Sequence, residues 1–158
     1  MLAVSAQGAA ALHTVGNGEC PSLGNDTEEF EYMAGTLTSI QALLSDIQAS
    51  SSVGVPQDVA ARAGRATTCM DNEKWWGVPN ALQAVVWLSV PGTMPEGKDP
   101  WAQLKEAADY GETKGMPMAA MLAKQMRGYL RSRTSGGGLA LLGPHQQRAI
   151  NPRACRLF

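Results

Sequence analysis

Cysteine is sparse and scattered in this sequence: Cys20, Cys69 and Cys155, with no CxxC pair and no cysteine–histidine cluster. That spacing argues against a structural zinc site, whose ligands come in close pairs. Short catalytic signatures are missing as well. There is no GxSxG elbow, HExxH, P-loop or GxGxxG, so none of the local patterns that place a nucleophile, a metal or a nucleotide phosphate is present. The two histidines, His13 and His145, lie in stretches without helical or strand periodicity. A general base must be held within hydrogen-bond reach of its target, which such a setting does not favour. No run approaches the roughly 18 apolar residues that span a bilayer. Aromatic residues are few, with four Trp, three Tyr and two Phe. A core of Ala, Leu, Val and Met packs more readily from helices than from sheets, where β-branched and aromatic residues are favoured. These absences lead to an expectation of no catalytic residues, no metal and no cofactor.

Acids are absent from one whole stretch. From Arg127 to Phe158 there are six arginines and no Asp or Glu. Up to Met70, seven acids stand against two bases. From Asp71 to Met126, seven acids stand against five lysines. The formal net charge of −1 therefore hides an acidic first half and a basic end made only of arginine. Arginine suits bidentate contacts to carboxylate or phosphate.

At 158 residues the chain is long enough for a real core, and its patterning is helical. "GNGECPSLGN" reads as loop. Asp26, with Glu29 three residues on, is placed to cap a first helix that runs to about Ala49. Its apolar positions Phe30, Met33, Leu37, Ile40, Leu44 and Ile47 alternate three and four apart, which predicts one buried seam. Pro56 suits the first turn of a second helix ending near Met70, with Val59, Ala63, Ala66 and Met70 inward. Residues 79–90, "PNALQAVVWLSV", are nearly all apolar, which predicts a central buried helix. Asp99 and Pro100 start a fourth helix that faces Trp101, Leu104 and Ala108 inward, with Gly111 placed as its left-handed cap. A fifth starts near Pro117 with a stripe of Met118, Met121, Leu122, Met126, Tyr129 and Leu130. The expectation is an all-α fold: about five helices in a compact bundle around the helix 79–90. Residues 1–25 form an arm, 26–134 the helical domain, and 135–158 an arginine-rich tail.

Three features remain as candidate sites. Trp75 and Trp76 are consecutive in a loop beside Lys74, so one is expected in the core and the other partly exposed, at the kind of position where tryptophan anchors a partner. The alternative is that both plug the end of the bundle. The tail residues Arg148, Arg153, Arg156 and Phe158 are expected to meet an acidic protein surface. Nucleic acid is disfavoured, because the tail lacks interleaved aromatics and the pI of about 6.1 is far from the basic range of nucleic-acid domains. The three cysteines read first as small buried hydrophobes; if one disulfide forms instead, Cys20 and Cys69 are the best pair, the one lying before the first helix and the other ending the second. The "TEEFE" acids and the methionines from Met118 to Met126 are explained by a helix N-terminus and a core stripe, with Met116, which precedes the helix, the exception.

The functional expectation is a non-enzymatic protein–protein interaction protein, a small helical subunit of a larger hetero-complex docked through its terminal arms. A secreted or periplasmic helical binding or inhibitor protein with one disulfide is the alternative. A nucleic-acid-contacting protein is the further one. The N-terminal "MLAVSAQGAAALHT" lacks a basic n-region and is a poor match to a signal peptide. It reads as an arm packed on a neighbour, or as the end of a longer targeting segment.

Overall fold

A computed structural model describes residues 19–49 and 58–135. Among the described residues there are five helices: α1 (Asp26–Gln48), α2 (Asp58–Thr67), α3 (Val78–Ser89), α4 (Pro100–Thr113) and α5 (Met118–Ser135). No strand occurs among the described residues, and the helices pack on one another, so the fold is all-α. They fall into two compact units divided between Asp71 and Asn72.

In the first unit α1 packs against α2. The N-terminus of α1 is closed one residue earlier than the Asp26/Glu29 pattern suggests. Asn25 is the cap, in extended conformation. Its Oδ1 accepts from the Glu28 N–H at 3.0 Å and its Nδ2 donates to Glu28 Oε1 at 2.9 Å. Glu28 Oε2 also accepts from the Gly24 N–H at 2.7 Å, so one carboxylate closes the turn from two sides. The buried face is also turned away from the expected seam. Met33, Ile40 and Leu44 are buried, but they share the face with Tyr32, Gly35, Thr36 and Leu43. Leu37 and Ile47 are half-buried, and Phe30 is 50% exposed. Small and hydroxyl-bearing residues make this possible. Thr36 is fully buried because its hydroxyl donates back to the Tyr32 carbonyl at 2.9 Å, which satisfies its polar atom within the helix.

The second unit is built around α3, which packs on both α4 and α5. Ten of its twelve residues are buried, as expected of a helix apolar on every side. Ser89, its only hydroxyl, donates to the Val85 carbonyl at 2.6 Å. Asp99 caps α4 by accepting from the N–H groups of Trp101 and Ala102, and Trp101, Leu104, Ala107 and Ala108 are buried. Gly111 does not terminate α4. The helix continues to Thr113, and the left-handed glycine is Gly115, at φ 73°. On α5 the buried stripe is Ala119, Leu122, Ala123, Met126, Tyr129 and Leu130. Met118 is half-buried and Met121 is 67% exposed, on the opposite side.

Candidate functional site

The loop "DNEKWWG" carries the most unusual backbone in the described chain. Trp76 has φ 51° and Gly77 has φ 82°, two successive residues in left-handed conformation. Glycine adopts it freely, but a tryptophan there pays about 1–2 kcal/mol for the approach of its Cβ to the following carbonyl. Surrounding contacts hold the conformation. The Gly77 N–H donates to the Asn72 carbonyl at 2.8 Å, the Trp76 N–H to Glu73 O at 3.3 Å and the Val78 N–H to Trp75 O at 2.9 Å. Gly77 cannot cap α3 with a side chain. Asn72 does so from eight residues upstream, its Oδ1 accepting from the Asn80 N–H at 3.1 Å.

Two glycines let α4 approach this loop. A Cβ on Gly77 would lie 2.8 Å from the Ala107 carbonyl oxygen. A Cβ on Gly111 would lie 2.6 Å from Met116 O and 3.0 Å from Trp76 O. Gly111 is therefore a point of close backbone approach, where the Trp loop, α4 and the turn into α5 converge. The Tyr110 hydroxyl adds a donor to Glu73 O at 3.4 Å.

The two indoles divide as consecutive loop residues do. Trp75 is 7% exposed, and Trp76 is half-buried. Their rings meet edge to face, with centroids 5.7 Å apart at 90°. The exposed Lys74 lays its ammonium 5.4 Å from the Trp75 ring centroid, within cation–π range. Lys114 does the same over Tyr110 at 5.5 Å. The result is a half-buried indole in a loop held by backbone hydrogen bonds, edge to face with the Trp75 ring that carries Lys74. Such a surface can bury apolar area against a partner. It brings together no nucleophile and base, and among the described residues no group of His, Cys, Asp and Glu is placed to hold a metal.

Cys20 and Cys69 are joined by a disulfide with Cα atoms 5.3 Å apart. Arg148, Arg153, Arg156 and Phe158, like His13, His145 and Cys155, lie outside the described residues. No described helix is long and apolar enough to cross a membrane. Residues that sequence reasoning passed over are Asn72 and Tyr110, which with Gly111, expected only as a helix cap, position the tryptophan loop. Their only signal was proximity in sequence to turns. Comparison with protein-family models, with curated proteins and with solved structures gives no significant match.

Proposed function

We propose that the protein is a non-enzymatic interaction subunit that docks on an acidic surface of a partner protein. The Trp75–Trp76 loop and the tail residues Arg148, Arg153, Arg156 and Phe158 are its contact elements. The observation that carries this reading is Trp76, a bulky side chain kept half-buried in a left-handed backbone. Costly backbone geometry clusters where it presents a side chain for use, and tryptophan is enriched among residues that dominate binding energy. The tail supports it by charge: its three arginines, with no acid beside them, set register and partner choice more than affinity.

The Cys20–Cys69 bond favours the version in which this interaction takes place in an oxidising compartment, as in a secreted or periplasmic binding protein. Capture from an extract of the natural source tests the docking reading. Wild type, Trp76→Gly and a triple Arg148→Gln/Arg153→Gln/Arg156→Gln variant are compared as bait. A protein retained by wild type and lost from both variants, each folded by circular dichroism, supports it. Equal recovery by all three baits sinks it. Tight binding to RNA or DNA that falls steeply with added salt, as counterion release requires, and that the triple variant loses, would replace it with the nucleic-acid reading.

A further inference from the structure

The first unit relies little on apolar packing along its second helix. α2 has ten residues, fewer than the roughly 12–15 at which a helix holds alone in water. Its buried positions are Ala60, Ala63, Ala66 and Thr67. Each buried alanine offers a single methyl group, and apolar stabilisation scales with the area removed from water. The Asp58–Arg62 ion pair, at 2.7 Å, lies at the surface, where salt screens it. What ties the end of α2 to the segment entering α1 is covalent. The disulfide links residues 49 apart in sequence, a long loop whose closure restricts the unfolded chain strongly. Cys20 is exposed and Cys69 half-buried, so an attacking thiolate has access. Helices α3, α4 and α5 contain no cysteine.

From this we infer that the Cys20–Cys69 disulfide is a redox latch: its reduction by a dithiol frees α2 from α1 and leaves the second unit folded. The inference rests on the first unit and is independent of the tryptophan loop. One thiolate of the dithiol attacks Cys20 Sγ, and the protein S–S bond breaks. Cys69 leaves as a thiolate and takes up a proton. The second thiolate of the dithiol then attacks the mixed disulfide at the reductant's own sulfur and releases Cys20, which is protonated in turn. The protein gains two electrons and two protons, and the dithiol becomes a disulfide. The part of the α1 face that α2 covers is then open.

Hydrogen exchange read by mass spectrometry tests this on the full chain, with Cys155→Ser in both arms to remove the third thiol. The oxidised protein is compared with the same protein reduced by dithiothreitol. Amides of Asp58–Thr67 should exchange on the order of 100-fold faster after reduction, while those of α3 and α4 keep their rates. Unchanged protection of α2 in the reduced protein overturns the inference, and so does an equal loss across all helices. A Cys20→Ser/Cys69→Ser variant should reproduce the reduced pattern, and one with α2 as protected as in the oxidised protein also overturns it. Should that variant fail to fold, reduction of the native protein in place still decides.

Discussion

At Trp76 the backbone and the side chain pull in opposite directions. Two substitutions separate them. Trp76→Ala and Trp76→Gly both remove the indole and its edge-to-face contact with Trp75, but only glycine relieves the left-handed φ of 51°. The glycine variant is expected to be about 1 kcal/mol more stable than the alanine variant, visible as a melting temperature higher by a few degrees. Equal melting temperatures would show that the loop relaxes and stores no strain. Tyr32 is a second residue with an exposed cost. It is 5% exposed, and its hydroxyl has no hydrogen-bond partner among the described residues. Burial pushes its pKa up to about 12. Between the ordinary tyrosine value near 10 and about 12 the folded chain keeps a proton that the unfolded chain releases. Stability from this group is thus full below pH ~10 and is lost as pH rises through that window. Tyr32→Phe should remove the alkaline loss and be neutral or stabilising at pH 7, since an unpaired buried hydroxyl is eliminated. Absorbance at 295 nm during alkaline titration checks it; a Tyr32 that ionises with the exposed tyrosines contradicts it.

Among the elements, two helical glycines have opposite roles that only the packing reveals. On Gly111 a Cβ would meet Met116 O at 2.6 Å, whereas on Gly128 it meets nothing within 4 Å. Gly111→Ala should cost about 1–3 kcal/mol through overpacking. Gly128→Ala should gain about 0.5–1 kcal/mol through helix propensity. Urea denaturation of both variants checks the pair, and the same sign for both contradicts it. The contrast shows what local pattern can convey. The Asp99–Pro100 start of α4 was legible because capping is a matter of adjacent residues. So was the buried α3, because nothing polar interrupts it. The cap of α1 was off by one because Asn25-x-x-Glu28 and Asp26-x-x-Glu29 both fit the pattern. Gly111 passed for a terminator because its real constraint, the carbonyls of Met116 and Trp76, comes from other segments. Met121 passed for core because methionine at helical spacing looks the same on either face, and the larger alanine-lined stripe of Ala119 and Ala123 decided the orientation. The left-handed Trp76 was hidden beside Gly77, the residue to which a positive φ would ordinarily be assigned.

For the whole molecule, the division at Asp71 and Asn72 carries no linker composition, which is why it was not visible in the sequence. Of the candidate site, the tryptophan pair was legible as residue types but its mount was not, and the arginine tail lies outside the described residues. If the tail acts as a docking element, removing 136–158 should leave the helical circular dichroism signal nearly intact while weakening association with the partner. A collapse of the helical signal on truncation would make the tail part of the fold instead. The most direct measurement is native mass spectrometry of the protein purified from its natural source, beside the Trp76→Gly variant expressed in the same cells. The expected result is a hetero-complex well above the 16.7 kDa of the chain for wild type, and the free chain for the variant. Wild type found only as a 16.7 kDa species, or a complex that Trp76→Gly leaves undiminished, would contradict the docking role of the tryptophan loop.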